Sequence, residues 1–166
     1  MTYFIIIRGP LGCGKTTIVK RLTKILNAEH ISIDKVLEEH DLDNIDSELE
    51  CIPVENFIKA NEIVLPRVKE KLKLGKIVIF DACFYYKESI ENLIENLAYS
   101  HYTFTLKAPV EVCMERDNKR SKSYGENAVK TVHKLVSRFD YGIIIDGTKS
   151  SEECIKEILS YLPKFP

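Results

Sequence analysis

A glycine-rich segment near the amino terminus constrains the fold of this chain more than any other part of its sequence. Gly9–Thr16 reads G-P-L-G-C-G-K-T and matches the pattern G-x-x-x-x-G-K-[S/T] at every defined position. The apolar run Tyr3–Ile7 precedes it, and a stripe of Ile, Val and Leu at helical spacing runs through Lys15–Asn27. A continuous apolar run is typical of a strand buried on both faces. The sequence therefore predicts a strand, a tight loop and a helix, in that order.

The residue types in this loop are suited to binding the phosphates of a nucleotide. Glycines allow successive N–H groups to turn toward one anion, and the following helix adds the positive end of its dipole. We expect Lys15 to place its ammonium group on the β- and γ-phosphates of ATP, and Thr16 to place its hydroxyl on Mg²⁺. Cys13 is interpreted as a small residue that fits the loop rather than as a reactive thiol. The residues expected to contact the nucleotide are Gly9, Gly12, Cys13, Gly14, Lys15, Thr16 and Thr17.

Apolar segments alternate with amphipathic segments along the rest of the chain. Further strands are predicted at 30–33, 76–80, 102–106 and 142–146. Further helices are predicted at 54–74, 88–98, 110–118, 127–139 and 150–162. Pro66 is expected to kink or divide the first of these helices, and Ser150 with Glu153 forms a capping-box pattern for the last. Strands that alternate with helices predict an α/β fold with a parallel sheet covered on both faces, in one domain over residues 1–166.

Two carboxylates follow predicted strands, and ligands of parallel sheets bind beyond such strand ends. Asp81 ends the apolar run Ile77–Phe80, an arrangement in which an acid holds Mg²⁺ directly or through water. The alternative for Asp81 is a cap for a turn or for the next helix. Asp34 follows the second strand, where a carboxylate could orient an attacking hydroxyl and accept its proton. From spacing alone, an N-cap for a short helix at 35–40 explains Asp34 equally well.

The whole chain resembles the P-loop kinases of the polynucleotide kinase and chloramphenicol phosphotransferase type, a branch of the nucleotide and shikimate kinase-like P-loop NTPase fold. Besides the glycine loop, the resemblance rests on Ile31–Asp34, on Phe80–Phe84 with Tyr86–Glu88, and on Leu106–Pro109 with Glu111 and Glu115–Arg120. It implies a five-stranded parallel sheet in the order 2-3-1-4-5, with Asp34 as general base. It also implies a small lid, at about 116–127, from which Arg116 and Arg120 contact the ATP phosphates. Cys83 and Phe84 depart from the family, in which polar residues are more usual there.

The spacing and chemistry of Arg116 and Arg120 also bear on a phosphate contact, independently of the resemblance. Arg116 and Arg120 are four residues apart and therefore share one face of a helix. The arginine fork donates several hydrogen bonds at once, which suits the charge that develops on a transferring phosphoryl group. The alternative is a solvated basic helix end beside Glu115 and Asp117. Lys119 and Lys122 add charge to the same segment, and a phosphate contact by either is the less favoured interpretation.

The region after the second strand should bind the acceptor, and it is acidic. Seven carboxylates lie between positions 38 and 50. Because nucleic acids are bound largely through Lys and Arg contacts to phosphate, this disfavours a polynucleotide without excluding one. A neutral or cationic small molecule fits better. Phe84, Tyr85 and Tyr86 could line the acceptor pocket, although core packing explains Phe84 equally well.

These features predict an ATP- and Mg²⁺-dependent kinase that moves the γ-phosphoryl group to a hydroxyl of a small molecule. A nucleoside, nucleotide or polynucleotide 5′-kinase is the nearest alternative, and a non-catalytic, ATP-binding regulatory module is an alternative from another class. Five scattered cysteines without a C-x-x-C pair favour a reduced, cytoplasmic compartment. No apolar run approaches the length of a membrane-spanning helix, so no membrane partner is expected. A monomer and a homodimer both remain open.

Overall fold

The computed structural model describes residues 2–164, which form five strands and seven helices. The strands are Tyr3–Arg8 (β1), Glu29–Ser32 (β2), Val78–Ala82 (β3), Ser100–Lys107 (β4) and Ile143–Asp146 (β5). The helices are Lys15–Ile25 (α1), Ile33–Glu39 (α2), Val54–Lys73 (α3), Lys87–Leu97 (α4), Val110–Asn118 (α5), Glu126–Val136 (α6) and Ser151–Tyr161 (α7). Within residues 2–164, no helix combines the length and the apolar character that crossing a membrane requires.

The strands form one sheet in the order β2-β3-β1-β4-β5, and every neighbouring pair is parallel. This confirms the predicted α/β fold and the strand order 2-3-1-4-5. The registers place Ile7 of β1 and Ser32 of β2 on either side of Asp81 in β3. The carboxyl ends of the three strands therefore meet at one edge of the sheet, directly before the glycine loop and α2.

Alternate residues of β1 are buried in two separate cores, one on each face of the sheet. Phe4 and Ile6 belong to a core that α3 and α4 cover, whereas Ile5 and Ile7 belong to a core that α1 and α7 cover. A strand with no solvent-facing side has no reason to alternate polar and apolar residues. This explains why the amino-terminal apolar run is continuous.

Most predicted element ends differ from the structure by one to three residues, and three of the differences from prediction have a clear local reason. The second strand ends at Ser32 instead of residue 33, because Ser32 caps α2 by accepting a hydrogen bond from the backbone N–H of Lys35 at 3.3 Å. The third strand continues to Ala82, which pairs with Arg8, so Asp81 lies inside β3 rather than after it. Helix α3 passes through Pro66 without a break. Pro66 and Glu62, whose carbonyl loses its partner, both lie on the exposed side of α3, where water can replace the hydrogen bond.

Arg8, the last residue of β1, is completely buried, and no carboxylate in the described part of the chain, residues 2–164, pairs with it. Its guanidinium donates to the carbonyls of Phe84, Val136 and Phe139 and to the hydroxyl of Thr105, at 2.9–3.2 Å. Burial lowers its pKa to about 10, so the side chain stays charged at neutral pH. One acceptor, the carbonyl of Val136, belongs to the last residue of α6, where the helix dipole favours a cation. Arg8 thereby ties α6 to the strand that carries the glycine loop.

Candidate functional site

A cleft of about 1400 Å³ opens at the carboxyl edge of the sheet and contains nearly all of the predicted site residues. The residues that line it include Gly12, Cys13, Gly14, Lys15, Thr16, Thr17, Asp34, Asp81, Arg116 and Arg120. Gly9 lies behind the loop instead, where an added Cβ would come within 2.8 Å of the Cys13 sulfur and 3.0 Å of the Leu106 carbonyl oxygen. Gly9 is therefore required for close packing of the loop.

Two glycines of the loop have backbone angles that other residues rarely adopt. Gly12 has φ of 77° and Gly14 has φ of 96°. Gly14 is the N-cap of α1, and among residues 2–164 no side chain caps this helix end. The first N–H groups of α1 are thus left for a ligand in the cleft, which is the arrangement that anion binding at a helix N-terminus needs.

Lys15 is buried and folds back on its own loop. Its ammonium group donates to the carbonyl oxygens of Gly9, at 2.7 Å, and Pro10, at 2.9 Å. Burial alone would lower its pKa, but Cys13, Cys83, Asp34 and Asp81 nearby raise the pKa above its ordinary value. The side chain therefore carries a full positive charge at the base of the loop.

Asp34 lies in the first turn of α2, one residue after the helix begins. Because Ser32 is the N-cap, the interpretation of Asp34 as a cap is wrong. Burial raises the pKa of the Asp34 carboxyl to about 6, and Asp81 adds to the rise, whereas Lys15 and the hydrogen bonds from Cys83 oppose it. A half-buried carboxylate with a pKa near neutrality is suited to taking a proton from a hydroxyl.

The pKa of Asp34 has a measurable consequence for the stability of the free protein. Between its ordinary value of 3.8 and about 6, the folded state retains a proton that the unfolded state has lost. The free energy of unfolding therefore decreases as pH rises through this window. Asp34→Asn, which cannot ionise, should match the native protein near pH 4 and be more stable near pH 8. Thermal unfolding at both pH values measures this, and an equal melting temperature at pH 8 would contradict it.

Asp81 and Thr16 supply oxygen ligands of the kind that Mg²⁺ prefers. Asp81 is 8% exposed, and its Oδ2 hydrogen-bonds to the Nε2 of His30 on β2. Thr16 is exposed in the first turn of α1. Within residues 2–164, no group of three or more His, Cys, Asp and Glu side chains could hold a metal.

The two predicted lid arginines both line the cleft, but they make different contacts. Arg116 donates from Nη1 to the carbonyls of Cys13, at 3.1 Å, and Gly147, at 2.7 Å, so it joins α5 to the glycine loop and to the turn after β5. Arg120 is exposed and stacks over the ring of Tyr124 at 4.7 Å. The ammonium group of Lys119 forms an exposed ion pair with Glu115 at 3.0 Å. For Lys119 this agrees with the alternative of a solvated basic helix end.

Sequence reasoning missed three residues that shape the site. Arg8 and His30 make the contacts described above, and neither belongs to a motif. Asp117 is 1% exposed, and its two carboxylate oxygens accept hydrogen bonds from the backbone N–H groups of Tyr124 and Gly125, both at 3.1 Å. It therefore fixes the loop between α5 and α6. In the sequence, Asp117 stands in a helix end that is rich in charged residues. Such a position is typical of exposed residues and does not indicate burial.

A family comparison agrees with this geometry. The model of an AAA-domain family matches residues 4–140, which is most of the chain. The chain belongs to this AAA-domain family. The match begins in β1 and includes the glycine loop, Asp34, Asp81 and both lid arginines. A search of curated proteins gave no significant match to the sequence.

Three solved structures with similar folds are kinases. A sugar kinase from Janibacter sp. HTCC2649 has a TM-score of 0.82 at 18% identity, with 97% of this chain and 94% of that chain covered. A gluconokinase from Sinorhizobium meliloti 1021 has a TM-score of 0.70 at 15% identity, with 94% of this chain and 89% of that chain covered. Shikimate kinase from Aquifex aeolicus vf5 has a TM-score of 0.59 at 24% identity, with 95% of this chain and 94% of that chain covered. At these identities the comparisons establish the P-loop kinase fold, and the chloramphenicol phosphotransferase type is not confirmed.

Proposed function

We propose that this protein is an ATP-dependent kinase that transfers the γ-phosphoryl group to a hydroxyl group of a small molecule. The observation that carries the proposal is the half-buried Asp34 carboxylate, which lines the same cleft as Lys15 and the glycine loop. A protein that only binds a nucleotide has no need of a carboxylate with a raised pKa at this place. The kinase fold of the neighbouring structures is in keeping with this proposal.

Each residue has a role that its position supports. The ammonium group of Lys15 and the N–H groups at the start of α1 bind the β- and γ-phosphates. Thr16 and Asp81 would hold Mg²⁺, which neutralises charge on the phosphates when bound. Asp34 orients the acceptor hydroxyl and takes its proton as the new bond from oxygen to phosphorus forms and the bond to ADP breaks. We expect Arg116 and Arg120 to stabilise the charge of the transferring group and, with the lid, to exclude water.

The acceptor end of the cleft is apolar and acidic. Beyond Asp34, the cleft is lined by Leu37, Ile45, Ile52, Phe57 and Tyr85 and by the carboxylates Glu38, Asp43 and Glu50. Phe84 is fully buried in the core, and the Tyr85 hydroxyl accepts a hydrogen bond from the Ile52 backbone N–H at 2.9 Å. Of the described residues lining this end, only Lys35 is a cation, and its side chain lies 3.7 Å from Glu39. This charge distribution favours a neutral or cationic acceptor and disfavours a polynucleotide.

Transfer of labelled phosphate from ATP to a panel of alcohols tests the proposal. The panel includes neutral sugars, amino sugars, gluconate, shikimate, nucleosides and an oligonucleotide with a free 5′-hydroxyl. We expect transfer to a neutral or ammonium-bearing small alcohol. Transfer confined to nucleosides or to the oligonucleotide would establish the 5′-kinase alternative instead. Tight ATP binding without transfer to any acceptor, together with a nucleotide-dependent protein complex, would favour the regulatory module.

Glu38→Lys is expected to change acceptor preference. Glu38 lines the cleft, so reversing its charge should lower kcat/KM for an ammonium-bearing acceptor about tenfold relative to a neutral analogue. Glu62 is exposed on α3 and does not line the cleft, and among residues 2–164 it forms no ion pair. Glu62→Lys is thus the matched control, with the same charge change away from the cleft. Steady-state kinetics with both acceptors measure the ratio, and an equal effect of the two substitutions would refute an acceptor contact at Glu38.

A further inference from the structure

The contact between His30 and Asp81 joins the edge strand β2 to the proposed metal ligand. The register pairs Ser32 with Asp81 and His30 with Ile79. Since side chains two residues apart on a strand share a face, His30 and Asp81 lie on the same face of the sheet. The His30 side chain reaches along that face, so that its Nε2 hydrogen-bonds to Oδ2 of Asp81. Among residues 2–164, no other side chain hydrogen-bonds to Asp81.

This hydrogen bond restricts the Asp81 carboxylate. The terminal torsion of an aspartate is a broad, roughly two-fold rotor, so an unsupported carboxylate can present either oxygen at many angles. A partner on Oδ2 fixes the plane of the group and leaves Oδ1 without a side-chain partner. Outer-shell contacts of this kind orient the ligands of metal sites, and their loss typically weakens metal binding by about 10–100-fold.

The surroundings of Asp81 make such support necessary. Asp81 is almost completely buried, and it lies near enough to Asp34 to help raise the pKa of that carboxyl. Lys15 is the nearby cation, but its ammonium group is hydrogen-bonded to the carbonyls of Gly9 and Pro10. His30 is thus the group that holds Asp81 by a direct hydrogen bond.

We propose that His30 is a positioning residue that orients the Asp81 carboxylate toward Mg²⁺ or a water molecule bound to it. The inference rests on the proposed function, because it takes Asp81 as a ligand of the Mg²⁺ that accompanies ATP. His30 itself contacts neither the phosphates nor the acceptor in this role. Its effect should therefore appear in the Mg²⁺ dependence of ATP binding, before any phosphoryl transfer.

Isothermal titration calorimetry of ATP binding at a series of Mg²⁺ concentrations, without an acceptor, tests this. His30→Ala should raise the Mg²⁺ concentration for half-maximal ATP affinity about tenfold. His30→Gln should restore it to within about threefold, because the glutamine amide nitrogen can donate from the position of Nε2. His40→Ala is the control, since His40 is exposed at the end of α2 and its side chain makes no hydrogen bond among residues 2–164. Circular dichroism confirms that each variant is folded.

The outcomes separate this inference from the kinase proposal. A native Mg²⁺ dependence in His30→Ala overturns the positioning role, and so does a failure of His30→Gln to restore it in a folded variant. If the native protein binds ATP without any effect of Mg²⁺, the metal role of Asp81 and the role of His30 are both wrong. If Mg²⁺-dependent binding behaves as expected but no alcohol is phosphorylated, the kinase proposal alone is contradicted.

Discussion

Asp34→Asn is expected to lower kcat about 1000-fold or more while ATP affinity stays within about threefold of the native value. The amide has nearly the shape of the carboxylate but cannot take a proton from the attacking hydroxyl. The nucleotide phosphates are expected to be held by Lys15 and the loop N–H groups, which the substitution leaves in place. Steady-state transfer to the acceptor found in the screen and calorimetry with ATP measure the two quantities separately.

Glu38→Gln is the matched control for this experiment. Glu38 also lies on α2 and lines the cleft, and the substitution likewise removes one negative charge without changing the shape of the side chain. We expect Glu38→Gln to affect acceptor binding and to leave kcat within about tenfold of native, because a group that only binds the acceptor takes no part in the proton transfer. Turnover of Asp34→Asn above a tenth of the native rate would rule out Asp34 as the base.

The sequence contained most of the information that determines the fold. The apolar run of β1 and the helical stripe of α1 are local patterns, and both follow from burial on two faces of the sheet and one face of a helix. Helix α5 was predicted with its observed limits, and the capping box of Ser150 and Glu153 is present at the start of α7. Each of these depends on residues close together in the chain.

Boundaries that depend on a partner strand could not be predicted in this way. Asp81 belongs to β3 because Ala82 still pairs with Arg8 of β1, a contact between residues more than 70 positions apart. The start of α2 is a different case. Ser32 is a good N-cap residue, so the sequence around α2 itself contains the signal for this start.

The structure brings Asp34, Asp81, Arg116, Arg120 and all of the glycine loop residues except Gly9 and Pro10 to one cleft, and their roles remain predictions. The supporting contacts were not expected. His30 meets Asp81 only because of the β2–β3 register, and Arg8 meets the carbonyls of Val136 and Phe139 only because α6 ends beside β1. Such contacts join elements that are distant in sequence, so no spacing rule indicates them.

Gly12→Ala is expected to weaken ATP binding about 100-fold or more, because small displacements of a binding group can have effects of that size. A Cβ at this position would lie 2.3 Å from the carbonyl oxygen of Cys113, which belongs to α5. The obstacle is backbone and cannot rotate away, so either the loop or α5 must move. The φ of 77° adds strain of roughly 1 kcal/mol for a residue with a side chain.

Gly75→Ala separates the two causes. Gly75 has φ of 79°, close to that of Gly12, but nothing lies within 4 Å of the position of an added Cβ. The substitution Gly75→Ala should therefore lower the free energy of unfolding by roughly 1 kcal/mol and leave ATP affinity unchanged. Calorimetry with Mg²⁺ and ATP, together with chemical denaturation of both variants, measures the contrast. Native ATP affinity in Gly12→Ala would mean that contact with α5 is unimportant for the loop. A large loss confined to Gly12→Ala would show that the glycine loop depends on the helix that carries Arg116.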